Sequence, residues 1–228
     1  GQDRDSLTAS LDEAIGLEPD RIALFGYAHV PHLLPRQRRI SAEALPDQAE
    51  RFVMAALGHE QLVAAVYVPV GFDHFALPHD PLAKAALEGR LHRNFQGFTD
   101  DDGALIGVGA SAISQFPDLI VQNEKNSGRY RMRAIAGRTS GERGVWRSAE
   151  DQRRGAAIEA LLCGRAADIG TLEETVEVQL APFLDRGLAR LSEKRLWVTA
   201  DGLPYARTIA ALFDGYRAVS PQRFSTAI

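Results

Sequence analysis

The residues best equipped for chemistry lie together in the segment His92-Arg93-Asn94-Phe95-Gln96-Gly97. It combines a guanidinium, two amides and an aromatic ring, and its pattern fits neither an amphipathic helix nor an alternating strand. Arg93 is suited to bind a carboxylate bidentately, although a structural salt bridge would explain it equally well. Gly103, Gly107 and Gly109 follow and would let a ligand approach the backbone, but a lone GxG is weak evidence for a nucleotide. The segment predicts a ligand-binding loop.

Two further groups of polar residues directly follow predicted strands. The motif Phe25-Gly26-Tyr27-Ala28-His29 follows a buried apolar run, and Gly71-Phe72-Asp73-His74 lies near the end of the next one. In parallel α/β sheets and barrels, ligand-binding groups gather at the carboxyl ends of strands. Ala28 would leave space for a flat adenine or a ribose, but each of these residues could equally belong to a packed strand end.

Histidines near these loops support a second kind of site. Four of the six lie there: His29, His32, His74 and His79. With the carboxylate of Asp73 they could ligate a metal in a barrel hydrolase. Neither pair of neighbouring histidines has helical i, i+4 spacing, and each pair lies beside a proline. A metal-dependent hydrolase is therefore an alternative with few ligands to support it.

Helices and strands alternate over residues 1–138, which predicts an α/β fold. Helices are expected at 6–17, 47–65 and 80–88, and strands at 22–25 and 68–75. This order favours parallel strands joined by right-handed crossovers. Because two strands do not form a stable sheet alone, we expect them to complete an open sheet or barrel whose earlier strands lie upstream of Gly1.

The pattern changes after Arg138. Residues 139–144 are polar and contain glycines, which predicts a linker at a domain boundary. Ser148 and Asp151 form a capping-box-like helix start, and short apolar pieces around residues 192–195 predict a hairpin. We expect residues 139–228 to be a mostly α-helical, winged-helix-like domain. The mixed charges of the hairpin supply no basic stripe for DNA.

Composition excludes several classes of protein. The 228 residues are 45% apolar and 25% charged with a net charge of −4, which gives no support to nucleic-acid binding. The longest apolar run, residues 62–72, is about half of a bilayer span, and the start has no secretory pattern. We therefore expect a cytoplasmic protein that binds neither nucleic acid nor membrane.

Cysteine and methionine usage adds two expectations. Cys163 is the single cysteine, so this chain alone forms no internal disulfide, cysteine-based zinc site or iron–sulfur cluster. Position 1 is Gly and the methionines are Met54 and Met132, from which we expect a fragment or a processed chain.

In order and approximate spacing, the two strand-end motifs and the segment 91–109 resemble the oxygen-independent coproporphyrinogen III oxidases, which are radical S-adenosylmethionine enzymes. The string HRNFQGFT separates these from the related haem chaperones. The resemblance covers the C-terminal half of a family member, from Gly1-Gln2 at a Leu-Pro-Gly-Gln element to residues 224–228 at the C-terminal end. It implies that residues 1–138 are the C-terminal part of an open parallel (β/α)6 barrel, and residues 139–228 the family's helical C-terminal domain.

The resemblance also implies a reaction. Two propionates of coproporphyrinogen III would be oxidatively decarboxylated to vinyls, giving protoporphyrinogen IX through a 5′-deoxyadenosyl radical. The partners would be an electron donor and the missing N-terminal barrel half, whose cysteines would carry the [4Fe-4S] cluster. This chain alone is then expected to be inactive. The alternative is a non-catalytic, haem-chaperone-like porphyrin binder, which would not need Arg93 and Gln96 in an S-adenosylmethionine pocket.

Site residues follow from the same resemblance. Ala28 would contact the cluster-bound S-adenosylmethionine, while Phe95, Gln96 and Ile113 would surround a second S-adenosylmethionine. Weaker candidates for lining the substrate pocket are Tyr27, His29, Asp73 and Arg93.

One position departs from the family. Val66 stands where the family usually has glycine, at a helix end that favours positive φ. A β-branched residue there is expected to be strained by roughly 1 kcal/mol unless the helix ends differently.

Overall fold

The computed structural model describes residues 2–101 and 104–217. The helices are α1 (Arg4–Gly16), α2 (Gln48–Ala64), α3 (Pro81–Leu87), α4 (Ser127–Ile135), α5 (Ala149–Leu162), α6 (Glu173–Asp185) and α7 (Ala206–Ala210). The strands are β1 (Arg21–Ala23), β2 (Val68–Val70), β3 (His74–Ala76), β4 (His92–Asn94), β5 (Gly97–Thr99), β6 (Ile113–Gln115), β7 (Leu119–Asn123), β8 (Gly141–Trp146), β9 (Ala167–Asp168), β10 (Ala189–Ser192) and β11 (Arg195–Val198). Gly1, Gly103 and residues 224–228, all interpreted above, lie outside the described residues.

The helices expected in the first part of the chain are confirmed as α1, α2 and α3. Each follows an aspartate whose carboxylate accepts a hydrogen bond from a backbone N–H of the first turn. The helix α2 lies close to the chain leaving β1 because Gly58 has no side chain. A Cβ there would come within 2.5 Å of Leu24 Cδ2. No helix in the described residues is long and apolar enough to cross a membrane.

The predicted parallel pairing of strands is wrong for the first sheet. Its strands lie in the order β1-β3-β2, and both pairings are antiparallel. Residues 68–75, expected as one strand, form β2, a turn and the start of β3, because Gly71 adopts a φ of +65° that permits chain reversal. β1 and β2 still point the same way, as a helical crossover requires, but β3 lies between them. Within residues 2–101 and 104–217, no strands pair in parallel and no sheet closes into a barrel.

The middle of the chain forms a two-stranded hairpin, β4–β5, and an antiparallel sheet in the order β6-β7-β8. The prediction of a linker at residues 139–144 is wrong from Gly141 onward, because β8 begins there and pairs with β7. Every residue of β8 is exposed, so no apolar alternation marks it in the sequence. The domain boundary after Arg138 stays a prediction.

Two predicted elements of the C-terminal part, the helix start at Ser148 and the hairpin, are confirmed. Ser148 and Asp151 form a capping box at the start of α5, and the chain turns after α5 at Gly164 with a φ of +69°. β10 and β11 form the predicted hairpin, which β9 extends to three strands. Helices and sheet bury a common apolar core that includes Leu161, Leu180, Leu196, Ile209 and Phe213. The winged-helix-like topology stays a prediction.

Three parts of the chain meet at Gly71. A Cβ at this position would overlap the ring of Phe98 on β5 and would lie 2.9 Å from the carbonyl oxygen of Leu162 at the end of α5. The next residue of the chain after α5, Cys163, is buried in the apolar cluster that also contains Val70. The turn after β2, the hairpin and the end of α5 therefore pack against one another without a gap.

Replacing Gly71 by alanine should destabilise the protein by more than its positive φ explains. Gly89 is the matched control, because its φ of +68° is similar but no atom lies within 4 Å of a Cβ built there. From left-handed strain alone we expect Gly89→Ala to cost about 1 kcal/mol of unfolding free energy. Gly71→Ala adds overpacking and should cost about 3 kcal/mol in urea denaturation. Equal losses would contradict the packing described for Phe98.

Replacing Val66 by glycine should stabilise the protein. Val66 has a φ of +72° after the end of α2, and its side chain is 67% exposed, so it is strained without being packed. We expect Val66→Gly to raise the unfolding free energy by about 1 kcal/mol, measured by thermal or urea denaturation. Val63→Gly, in the last turn of α2, is the control and should lower it. A loss of stability in Val66→Gly would rule out the strain.

Candidate functional site

Arg93 lies at the centre of the candidate site, packed against two aromatic rings. Its Cζ atom is 5.7 Å from the centroid of the Phe72 ring and 5.5 Å from that of Phe98. These two rings are 5.9 Å apart in an edge-to-face arrangement. The Nε atom of Arg93 is buried and has no hydrogen-bond partner in the described part of the chain. The rings hold the cation in place, and its buried Nε–H is left without an acceptor among the described residues.

Asp73 and His74 form a hydrogen-bonded pair beside the same rings. Asp73 Oδ1 is 2.6 Å from His74 Nδ1, and the His74 ring lies 5.1 Å from the Phe98 ring, edge to face. The carbonyl oxygen of Asp73 accepts a hydrogen bond of 2.8 Å from the backbone N–H of Leu24, just after β1. The turn after β2 and the chain leaving β1 are therefore neighbours, so the two strand-end motifs meet.

The loop after β1 is held by the side chain of Gln37. It donates a hydrogen bond to the carbonyl oxygen of Ala28 at 2.9 Å and accepts one from the N–H of Val30 at 2.6 Å. The hydroxyl of Tyr27 is 3.2 Å from Nδ1 of His29. Gln37 thus fixes the backbone on both sides of His29, while Ala28 adds only a methyl group to this surface.

Phe95 and Gln96 form the turn between β4 and β5. Asn94 supports the turn by accepting a hydrogen bond of 2.8 Å from the N–H of Gln96, and Gly97 follows with a φ of +130°. The Phe95 ring is 55% exposed, and Gln96 is exposed. Within residues 2–101 and 104–217, the Gln96 amide group has no hydrogen-bond partner. Both side chains are therefore available to a ligand.

Ile113 lies in a different sheet from this turn. It is half-buried on β6 opposite Gln122, and no hydrogen bond in the described ranges joins that sheet to the hairpin. A Cβ on Gly107 would lie 2.6 Å from the carbonyl oxygen of Ile113. The backbone of Ile113 therefore occupies the space beside Gly107, so this glycine is explained without a ligand.

The histidines do not assemble a metal site in this part of the protein. No three His, Cys, Asp or Glu side chains among the described residues are placed to hold one ion. His74 is paired with Asp73. His79 is paired with a different carboxylate, since its Nε2 atom lies 3.0 Å from Oδ1 of the exposed Asp20. The described residues therefore contain no group of metal ligands that would support a metal-dependent hydrolase.

Cys163 is unsuited to ligate a cluster. Burial raises the pKa of its thiol to about 12, with the Glu159 carboxylate adding to the effect. The thiolate is the form that binds metal, so this residue stays protonated and inert near neutral pH. Since it is the single cysteine, the residues present do not fit a [4Fe-4S] cluster.

Sequence reasoning missed the aromatic walls of the site and one further cation. Phe98 follows Arg93 within the same segment, so the interleaving of basic and aromatic residues could have pointed to it. Arg207 on α7 lies with its Cζ atom 5.6 Å from the Phe72 ring, the ring that Arg93 also contacts. No local pattern connects Arg207 with Phe72, because only the packing of α7 brings them together.

Curated proteins of known name are similar to this chain over nearly all of its length. The oxygen-independent coproporphyrinogen III oxidase of Pseudomonas aeruginosa is 39% identical, with 100% of this chain and 52% of that protein covered. The enzyme of the same name from Paracoccus denitrificans is 41% identical over 94% of this chain and 50% of that protein. The chain therefore spans about half the length of the curated relatives it matches. No protein-family model matches it.

A solved structure agrees with these relatives. The coproporphyrinogen III oxidase HemN of Escherichia coli, a radical SAM enzyme, superposes with a TM-score of 0.84 and 34% identity, covering 94% of this chain and 52% of that chain. Sequence and structure point to the same proteins, and the matched part is their C-terminal half. The chain belongs to the oxygen-independent coproporphyrinogen III oxidase family, as the counterpart of the C-terminal half of its members.

Proposed function

We propose that this chain supplies the substrate-binding surface of an oxygen-independent coproporphyrinogen III oxidase. In that reaction each of two propionates gives a hydrogen atom to a 5′-deoxyadenosyl radical, releases CO2, passes one electron to an acceptor outside this chain and becomes a vinyl, giving protoporphyrinogen IX. The relatives that carry this name match the chain from end to end, which supports the assignment. The observation that carries the proposal is the buried, unpaired Nε of Arg93 beside two aromatic rings.

Arg93 is suited to bind a propionate carboxylate of the substrate. A guanidinium presents parallel donors that match the two oxygens of a carboxylate, and contact with aromatic faces keeps it oriented. A buried donor without a partner is unfavourable by about 1 to 3 kcal/mol, and a bound carboxylate would relieve this cost. We assign Asp73 to the same pocket because its partner His74 lies beside the Phe98 ring. Tyr27 and His29 are assigned to it because their loop follows Leu24, whose N–H donates to the carbonyl oxygen of Asp73.

The cofactor contacts are proposed on the exposed loops. The free amide of Gln96 and the exposed ring of Phe95 are suited to bind and stack a second S-adenosylmethionine, and the resemblance assigns Ile113, which lies in a different sheet, to the same site. Ala28 would let the other S-adenosylmethionine, the one bound to the cluster, lie against the backbone that Gln37 holds. When bound with a reduced [4Fe-4S] cluster, S-adenosylmethionine supplies the radical that abstracts hydrogen beside the tetrapyrrole ring.

The rest of the enzyme has to come from outside these residues. Because Cys163 is inert, cysteines of an N-terminal barrel half would hold the cluster, and an electron donor would reduce it. We propose residues 1–138 as the C-terminal part of an open barrel and residues 139–228 as the family's helical C-terminal domain. On this basis the isolated chain binds substrate but has no oxidase activity.

Arg93→Lys should weaken binding of coproporphyrin III, the fluorescent oxidised form of the substrate. Lysine keeps the charge but loses the planar pair of donors, so we expect the dissociation constant to rise roughly tenfold, equivalent to about 1.4 kcal/mol. Arg90→Lys is the matched control, because Arg90 is exposed and paired with Glu88. Fluorescence titration of the two variants and the unaltered chain gives the comparison. Equal affinities would remove Arg93 from the substrate site.

Activity can be tested in a chimaera that joins the N-terminal half of the Pseudomonas aeruginosa relative to this chain. We expect it to form protoporphyrinogen IX anaerobically, which separates an oxidase from a binder that does no chemistry. Gln96→Ala should then reduce product formation by about tenfold or more while the cluster absorbance is unchanged, since the variant lacks the amide group proposed to bind S-adenosylmethionine. Gln179→Ala, an exposed position on α6, should have no effect. Full activity of the Gln96 variant would contradict the cofactor assignment.

A further inference from the structure

One carboxylate oxygen on α5 contacts two consecutive residues of β4. Oε1 of Glu159 is 2.8 Å from Nδ1 of His92 and accepts a hydrogen bond of 3.3 Å from the backbone N–H of Arg93. The same oxygen lies 3.5 Å from Nη2 of Arg165, just beyond the end of α5. Glu159 is thus a bridge between the C-terminal helices and the strand that bears the substrate-binding arginine.

The hairpin needs such a bridge because it has little structure of its own. β4 and β5 are three residues long and pair only with each other among the described strands. A two-stranded hairpin of this size is marginal in water, so contacts with other elements must set its orientation. The Phe98 ring packed at Gly71 and the Arg93 side chain against Phe72 join the hairpin to the turn after β2 through side chains. Glu159 adds a contact to the backbone of β4, from α5.

We propose that Glu159 is a positioning residue, which sets the direction of the Arg93 guanidinium and of the Phe95-Gln96 turn. The expected effect of Glu159 on substrate binding rests on the proposed function. The restraint that Glu159 places on the hairpin does not rest on it. The contact joins Arg93 through its backbone, so the arginine side chain stays free for a carboxylate. Loss of Glu159 would leave the Arg93 side chain unchanged in chemistry, but its guanidinium would no longer be held in the direction that binds the carboxylate.

Hydrogen exchange resolved at single amides tests the restraint without substrate. In Glu159→Leu we expect the amides of β5 to exchange at least fivefold faster, although none of them touches Glu159. Glu150→Leu is the matched control, because Glu150 lies on the same helix and pairs with Arg154 instead. Unchanged β5 amides would overturn the proposal. If Glu159→Leu does not fold, Glu159→Asp, whose shorter side chain does not reach both donors, takes its place.

Coproporphyrin III titration tests the consequence. We expect Glu159→Leu to weaken binding at least tenfold in the unaltered chain, but to have no further effect when Arg93 is already alanine. Glu159→Gln keeps an oxygen for the Arg93 N–H and should restore most of the affinity. His92→Gln keeps a donor for Glu159 and should bind better than His92→Leu.

The outcomes separate the two proposals. Equal weakening by Glu159→Leu with and without Arg93 would mean that Glu159 acts on general stability, which overturns the positioning role. If the unaltered chain does not bind coproporphyrin III, the proposed function fails instead. The exchange rates of the β5 amides alone then decide whether Glu159 positions the hairpin.

Discussion

The ring of Phe98 occupies the space that Gly71 leaves by having no side chain, and the site is built around this contact. It brings the turn after β2 against the hairpin β4–β5, and the end of α5 closes on the same glycine through Leu162. Three segments distant in sequence thereby share one packing point. Any side chain at position 71 would separate them, because interiors are close-packed and yield little. The geometry of every group near Arg93 depends on that contact.

Charged side chains lie against the rings of Phe72 and Phe98. The Arg93 guanidinium contacts the Phe72 and Phe98 rings, Arg207 contacts Phe72 from α7, and the Asp73–His74 pair lies beside Phe98. A cation against aromatic faces is stabilised by about 0.5 to 2 kcal/mol, depending on its exposure to water. It keeps its capacity to donate hydrogen bonds. Such a surface suits a flat, anionic molecule, and a tetrapyrrole rimmed with propionates is one.

Local signals in the sequence were sufficient for several helices. Capping residues and apolar periodicity located α1, α2, α3 and α5. The positive φ of Val66 was expected from the resemblance to the family, whose members usually have glycine there. Antiparallel pairing was missed, because the reversal at Gly71 lies inside an apolar run that resembles one strand. The link between Glu159 and β4 was missed for another reason. It joins residues far apart in the chain, and no spacing rule predicts such a contact.

The proposed role of Arg93 is to bind a propionate carboxylate of a coproporphyrin. This role can be followed in the NMR signal of the Arg93 Nε–H group as coproporphyrin III is added to the chain, with the tetramethyl ester as the uncharged comparison. The free acid should shift this signal and protect its proton from exchange, while the ester should do neither. An unchanged signal at saturating coproporphyrin III, or the same change with the ester, would contradict this role.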